Sequence, residues 1–312
     1  MRFNWTLADV PSQVGKRFFI TGGNSGVGYY AAVELARRGA VMVLACRDKA
    51  KGEAALRRLK VDASGAESAA GAAELVMLDL ASLDSVREVA ASVLASGIQF
   101  DGLINNAGIM APLKRLESRD GFELQFGTNV LGHFALTCGM LPAVTESVVT
   151  LASIGHKLGR IAFEDLQSER SYSPRGAYYQ TKLADLMFAL ELERRLRALG
   201  SGVRSIAVHP GVAQTNLFKV GSGKGLARVA EKTIMGAIGL FLNSGPDGAL
   251  PTIFAATSPD AKGGRYYGPQ GFKEMSGGDV GDAIVTKAAA DVEAQKRLWA
   301  VCAELTGVDL PA

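Results

Sequence analysis

The most constraining feature of the sequence is a glycine-rich turn between a predicted strand and a predicted helix. The turn spans Thr21–Gly28 and directly follows the apolar run Phe18–Ile20. A helical pattern then extends from about Ser25 to Arg38. A glycine motif alone is weak, but this strand-turn-helix context is typical of a dinucleotide-binding unit. A plain glycine-rich loop is the alternative interpretation.

Three of the four glycines in this turn have an expected task. Gly22 would permit the tight turn, Gly26 would let the backbone approach a pyrophosphate, and Gly28 would let the helix pack close to the sheet. The N-terminus of the helix would add free N–H groups and the positive end of its dipole. The turn therefore predicts a phosphate-binding site.

Short apolar runs alternate with helical patterns over the first two thirds of the chain. The predicted strands are Phe18–Ile20, Val41–Ala45, Leu75–Leu78, Leu103–Asn105, Ser147–Leu151 and Val203–Val208. The predicted helices are Ser25–Arg38, Asp48–Lys60, Ser82–Ser96, Asp120–Met140 and Gly176–Leu199, with Asp48 and Ser82 as N-caps. This alternation predicts an α/β fold with a doubly wound parallel sheet, in one domain with a small C-terminal elaboration.

Composition excludes several other classes of protein. The net charge is +3, from 34 basic and 31 acidic residues among 312, which is too even to indicate a nucleic-acid partner. Cys46, Cys138 and Cys302 are too far apart for a zinc site or a disulfide framework, so we expect free thiols, buried or partly buried, and no metal. The sequence shows neither a signal peptide nor an apolar run long enough to span a membrane, and we expect a cytoplasmic protein.

Arg47 follows the second predicted strand, where dinucleotide folds contact the adenosine ribose. An acidic residue there would bind the ribose 2′-hydroxyl of NAD, whereas a planar guanidinium suits a 2′-phosphate. We therefore expect NADP(H), and the neighbouring Asp48 leaves NAD(H) as the alternative. Asp79, at the end of the third strand, could accept a hydrogen bond from the adenine amino group. The small residues in Asn105–Gly108 would let the backbone approach the cofactor.

Tyr178 and Lys182 are four residues apart on one predicted helix and therefore share a face. An ammonium fixed beside a phenol favours the phenolate, which would make Tyr178 a usable general acid or base. Ser153 lies just past a strand at the same sheet edge and could hold a substrate oxygen. Asn129 could position a water or distort its helix. His133, His156 and His209 lack metal-ligand spacing and are interpreted as structural.

In this order the motifs resemble those of the short-chain dehydrogenases/reductases over roughly residues 14–216. The match comprises Thr21–Gly28, Asn105–Gly108, Asn129, Ser153, the Tyr178-x-x-x-Lys182 pair, and Pro210-Gly211-x-x-x-Thr215. The stretch Gly159–Leu166 looks like the retinol dehydrogenase and protochlorophyllide reductase branch. The resemblance implies a Rossmann fold, with a substrate lid in about 217–312.

The resemblance also implies roles for these residues. Tyr178 would exchange the proton, Lys182 would bind the nicotinamide ribose, Ser153 would orient the carbonyl, and Asn129 would hold a relay water. Thr215 would meet the nicotinamide carboxamide or the diphosphate. The residues expected to contact the cofactor are Thr21, Gly22, Asn24, Ser25, Gly26, Val27, Gly28, Arg47, Asp79, Leu80, Asn106, Ala107, Gly108, Tyr178, Lys182, Pro210, Gly211, Val212 and Thr215.

The expected activity is hydride transfer between NADP(H) and a carbonyl or alcohol. The region after Thr215 is expected to cover the substrate, and its apolar residues favour a lipophilic or bulky one. These residues are Leu217, Phe218, Leu226, Ile234, Met235, Ile238 and Phe241. A catalytically silent NADP-binding sensor is one alternative, and reduction of a carbon–carbon double bond or epimerisation is another. Relatives often pair through long helices, so a homodimer or homotetramer is possible.

Overall fold

A computed structural model describes residues 1–64, 73–212 and 244–310. Its strands are β1 (Arg2–Phe3), β2 (Arg17–Thr21), β3 (Val41–Cys46), β4 (Ala73–Met77), β5 (Phe100–Asn105), β6 (Val144–Leu151), β7 (Arg204–Val208), β8 (Tyr266–Pro269) and β9 (Val280–Asp282). Its helices are α1 (Gly26–Arg37), α2 (Lys49–Asp62), α3 (Leu83–Ser96), α4 (Gly132–Met140), α5 (Pro174–Ala198), α6 (Gly245–Thr257) and α7 (Val292–Thr306), and a π-helical segment, Phe126–Leu131, precedes α4.

The strands of the described residues form one sheet in the order β1-β9-β8-β7-β6-β5-β2-β3-β4. All neighbours from β8 to β4 pair in parallel, while β9 and β1 add an antiparallel edge. Each predicted strand is present, with ends shifted by at most a few residues. The predicted α/β class and the doubly wound parallel sheet are confirmed.

Helices cover both faces of the sheet because alternate strand residues point to opposite sides. On β2, Phe19 packs in an apolar cluster with α3, α4, α5 and α7, whereas Phe18 and Ile20 pack with α1, α2 and α6. Both faces of the sheet are therefore shielded from water, which explains why the strand sequences are continuous apolar runs. All three cysteines are buried and unpaired, as expected.

The N-caps predicted for α2 and α3 are confirmed, since the side chains of Asp48 and Ser82 accept hydrogen bonds from Lys51 N and Ser85 N. The helix predicted from Asp120 was wrong at its start, because helical conformation begins only at Leu124. The Asp120 carboxylate instead accepts a hydrogen bond from Leu83 N, at the start of α3. The helix begins later because Glu123 accepts hydrogen bonds from the backbone N–H groups of Gln125 and Phe126.

The C-terminal part contains more regular structure than the sequence indicated. Helices α6 and α7 and strands β8 and β9 were not predicted individually. In α6, Pro251 lies inside the helix, and in β8 half of the strand is Gly268 and Pro269, both poor strand formers. The apolar residues expected to form the lid, from Leu217 to Phe241, lie outside the described residues. In the part of the chain that is described, no helix is long and apolar enough to cross a bilayer.

Candidate active site

The chain reverses direction through the sheet between β2 and β5. From β2 it proceeds outward to β3 and β4, and from β5 it proceeds the other way to β6, β7 and β8. In open α/β sheets, ligands bind beyond the carboxyl ends of the strands at such a switch point. Here those ends are Thr21 and Asn105, so the glycine turn and the segment Asn106–Gly108 face each other across the crevice.

Thr21 fastens these two segments together. Its buried Oγ1 accepts hydrogen bonds from Asn106 N at 3.0 Å and Ala107 N at 2.9 Å, and its carbonyl accepts one from Asn106 Nδ2 at 2.8 Å. A Cβ at Gly28 would lie 2.3 Å from Asn106 Nδ2, and Gly22 has φ +66°. The close approach expected at Gly28 is therefore to Asn106, and only glycine meets both requirements at low cost.

A residue interpreted only as structural extends this network. His133 Nδ1 lies 2.9 Å from Asn129 O, and its Nε2 lies 2.9 Å from Thr21 Oγ1. A carbonyl can only accept, so Nδ1 carries the proton and the Thr21 hydroxyl donates to Nε2. Burial lowers the pKa of His133 to about 4, so the ring is neutral. His133 thus connects the helix that follows Asn129 to the glycine turn.

Thr21→Val is expected to lower the free energy of unfolding by about 1–3 kcal/mol. Valine keeps the shape but leaves two buried N–H groups and the His133 Nε2 atom without their partner. Urea unfolding would measure the loss. The control is Thr145→Val, because the Thr145 hydroxyl sits at an exposed position and makes one bond, to Phe100 O. Equal losses for the two variants would contradict the role given to Thr21.

A cavity of about 820 Å³ opens at the switch point. The predicted residues that line it are Gly22, Asn24, Ser25, Gly26, Val27, Gly28, Asn106, Ala107, Gly108, Ser153, Tyr178, Lys182, Pro210, Gly211 and Val212. Ser25 precedes α1 without a side-chain cap, so the first N–H groups of α1 have no side-chain partner in the part of the chain that is described. The glycine turn thus offers open donors to an anion at one end of the cavity.

Ser153, Tyr178 and Lys182 converge on the same cavity from two elements. Ser153 lies just beyond β6 and begins a short helical turn, with its Oγ accepting a hydrogen bond from Gly155 N at 3.0 Å. Tyr178 and Lys182 lie one turn apart on α5, and Lys182 Nζ is 6.0 Å from the centre of the Tyr178 ring. A hydroxyl, a phenol and an ammonium therefore face one space.

The Lys182 ammonium is held firmly. It donates to Leu151 O at 2.8 Å and to Asp185 Oδ2 at 2.9 Å. Burial acts to lower the pKa of Lys182, but the charges of Asp185 and Tyr178 outweigh burial and raise the pKa above its ordinary value. Lys182 is therefore a permanent cation at neutral pH. Asp185 was not singled out from the sequence, although its spacing from Lys182 was visible there.

Asn129 is buried behind the cavity and does not line it. Its side chain accepts a hydrogen bond from Ile109 N and donates to Ile109 O and Thr181 Oγ1. Asn129 lies inside the π-helical segment, so the helix is locally distorted where the sequence suggested it could be. The side chain thereby fixes the segment after Gly108, which lines the cavity.

The residues expected to contact the adenosine part lie at the carboxyl ends of β3 and β4, outside the cavity lining. Arg47 is exposed and, among the described residues, has no hydrogen bond or ion pair. Asp48 is already engaged as the N-cap of α2 and pairs with Lys51 at 3.1 Å. Asp79 accepts a hydrogen bond from Ala81 N, and Leu80 is buried. Thr215 lies outside the described residues.

Several lining residues were missed by the sequence analysis. They are mostly apolar and follow the predicted motifs along the chain: Ile109, Met110, Ala111, Pro112, Leu124, Leu151, Ala152, Ile154, Gly155, Leu158, Arg175 and Tyr179. Arg175 could have been found, because it precedes Tyr178 by three residues on α5, and Tyr179 follows Arg175 by four. The others depend on tertiary packing.

Comparison with protein families and with curated proteins gives one consistent result. Residues 16–222 match the family model described as short chain dehydrogenase. Human retinol dehydrogenase 13 is 38% identical over 307 residues, covering 96% of this chain and 86% of that protein. Mouse polyprenol dehydrogenase is 37% identical over 308 residues, which cover 96% of this chain and 86% of that protein.

Solved structures agree with this result. The crystal structure of an uncharacterized protein from Mycobacterium paratuberculosis is 40% identical, with a TM-score of 0.81, and 99% of this chain and 100% of that chain are covered. A short chain dehydrogenase from Burkholderia cenocepacia in complex with NADP is 22% identical, with a TM-score of 0.61. The match covers 82% of this chain and 96% of that chain. The second likeness supports the fold.

Proposed function

The chain belongs to the short-chain dehydrogenase family, and from this premise we propose that it transfers hydride between NADP(H) and a lipophilic or bulky carbonyl or alcohol. The observation that carries the proposal is the convergence of Ser153, Tyr178 and Lys182 on the cavity that the glycine turn enters. A phenol beside a buried ammonium is suited to moving a proton to or from a substrate oxygen.

The residues present fit a nicotinamide dinucleotide phosphate. The crevice between Gly22 and Ala107 is so narrow that a Cβ at Gly22 would lie 3.0 Å from Ala107, and the start of α1 offers N–H groups for a diphosphate. Among the described residues Arg47 has no ion pair, which leaves its guanidinium open to a 2′-phosphate, while the Asp48 carboxylate is engaged in capping α2. Both features favour NADP(H) over NAD(H).

The bound cofactor would supply or accept the hydride, and the protein would handle the proton. In reduction, Tyr178 donates its phenolic proton to the oxygen of the substrate carbonyl. Ser153 donates a hydrogen bond to the same oxygen and holds it in place. Lys182 stabilises the tyrosinate that remains, because its positive charge favours the ionised phenol. Alcohol oxidation uses the same groups in reverse.

The cavity and the relatives both support a lipophilic substrate. Much of the remaining lining is apolar, including Ile109, Met110, Pro112, Leu124 and Leu158. Retinol and polyprenol, which two of the relatives are named for, are large apolar alcohols. A substrate of this class would exclude water from the reacting carbonyl.

The proposal is tested by measuring the oxidation of NADPH and of NADH in the presence of two aldehydes. One is apolar, with a long chain or a ring, and the other is glyceraldehyde. We expect NADPH oxidation with the apolar member and a higher kcat/KM for it. Turnover of glyceraldehyde alone would contradict the lipophilic substrate. Tight NADPH binding without turnover in either direction would contradict the oxidoreductase activity and favour a cofactor-binding sensor.

A further inference from the structure

A buried carboxylate lies directly behind the candidate active site. Asp185 follows Lys182 by three residues on α5, and its side chain is only 3% exposed. Its Oδ2 atom lies 2.9 Å from Lys182 Nζ, which is its ion-pair partner among the described residues. An ionised carboxylate removed from water is costly unless it is paired, so its position depends on the ammonium.

The pairing limits what the ammonium can do elsewhere. The lysine ammonium has three N–H donors. In Lys182 two of them bond Asp185 Oδ2 and Leu151 O, which leaves the third for another partner. The two acceptors lie on different elements, α5 and the end of β6, so together they fix the position of Nζ. The carboxylate also places a negative charge beside the positive charge that faces Tyr178.

We propose that Asp185 is a positioning residue for the reaction, which anchors the Lys182 ammonium and offsets part of its charge at Tyr178. This inference rests on the proposed function. Asp185 does not line the cavity, so it acts through Lys182 and not on the substrate. Asp185 then joins Tyr178 and Lys182, also on α5, in setting how strongly the tyrosinate is favoured.

Other ionisable groups lie around Tyr178, Lys182 and Asp185. From α4 comes His133, whose pKa burial lowers to about 4, and from α7 comes Cys302, whose pKa burial raises. From β8 comes Tyr266, whose pKa is raised by burial and by the charges of Glu274 and Tyr178. The ring of His156, whose pKa burial lowers, packs against Tyr266, and Lys157 pairs with Glu274 at 2.6 Å. Burial also raises the pKa of Asp185 itself, to about 6, against the effect of Lys182.

The direction of the effect follows from charge alone. Asp185→Asn removes a negative charge and keeps the shape of the side chain. A less negative environment favours loss of a proton from Tyr178, because the Lys182 ammonium then acts without opposition. The variant is therefore expected to favour the tyrosinate form of Tyr178 more strongly than the wild type does. Reduction needs the protonated phenol, so its rate should decline from a lower pH than in the wild type.

The test does not require the cofactor. Ultraviolet difference titration of tyrosinate, with Tyr178→Phe subtracted, isolates Tyr178 among the seven tyrosines. We expect its ionisation in Asp185→Asn to occur about one pH unit lower than in the wild type. The control is Glu191→Gln, which removes another buried carboxylate of α5, paired with Arg194 and Arg195 and remote from Lys182. It should leave the titration unchanged.

The alkaline limb of kcat/KM for NADPH-dependent reduction gives a second readout, expected to move in the same direction. Ionisation of Tyr178 at the same or a higher pH in Asp185→Asn would overturn the proposal, even if the variant were less stable. An equal shift in Glu191→Gln would overturn it too, because the effect would then be a general one of lost stability. An inactive wild type with a shifted titration would count against the proposed function and leave the role of Asp185 supported.

Discussion

Tyr178→Phe is expected to lower kcat about 10²–10⁴-fold while leaving NADPH binding nearly unchanged. The variant removes one oxygen from a side chain that lines the cavity and leaves the glycine turn, Arg47 and the Lys182 anchor in place. Without the phenol, the substrate oxygen loses its proton donor, whereas the cofactor keeps its contacts. Steady-state turnover and NADPH fluorescence titration measure the two effects separately.

The control for this experiment is Tyr30→Phe. Tyr30 lies on the outer side of α1, is 41% exposed and does not line the cavity, so the same chemical change should leave turnover unaffected. A Tyr178→Phe variant that kept more than about a tenth of wild-type turnover would exclude Tyr178 as the general acid. Loss of NADPH binding in that variant would instead show that the tyrosine acts chiefly on the cofactor.

Arg47→Asp is expected to reverse the cofactor preference. Hydrogen bonds between a guanidinium and a phosphate contribute about 1.5–3 kcal/mol, or roughly 10–100-fold in the efficiency with NADPH. An aspartate at the end of β3 would in addition repel the 2′-phosphate and could accept a hydrogen bond from the 2′-hydroxyl of NADH. The quantity to measure is the ratio of kcat/KM for NADPH to kcat/KM for NADH.

Arg57→Asp provides the matched control for the cofactor experiment. Arg57 is exposed on α2, so the change in net charge is identical, but it lies more than two helical turns beyond Arg47. Its cofactor ratio should remain near that of the wild type. If the ratio in Arg47→Asp moved no further than in Arg57→Asp, Arg47 would have no direct part in cofactor choice.

The sequence predicts well those features that depend on neighbouring residues. The glycine turn between β2 and α1 and the four-residue spacing of Tyr178 and Lys182 are local patterns, and the fold builds both as expected. The N-caps Asp48 and Ser82 are local in the same sense, because each bonds a backbone N–H three residues later. Period and spacing alone carry this information.

Features that depend on residues far apart in the sequence were not predicted. Strands β8 and β9 are short and exist because β7 and β1 provide hydrogen-bonding edges. The contact of His133 with Thr21 joins residues 112 positions apart. Asp185 is visible in the sequence as a neighbour of Lys182, but nothing local shows that its carboxylate is buried. Such contacts are set by tertiary packing, which periodicity does not encode.

The π-helical segment Phe126–Leu131 has a consequence for chain length. A π-helix closes its hydrogen bonds over one residue more than an α-helix, so a chain with one residue deleted from this segment could form regular α-helix there. All six residues of the segment are buried, and Asn129 within it bonds Ile109 and Thr181. A deletion would therefore change which side chain stands at the position of Asn129, and the segment after Gly108 would lose its anchor while the helix itself became more regular.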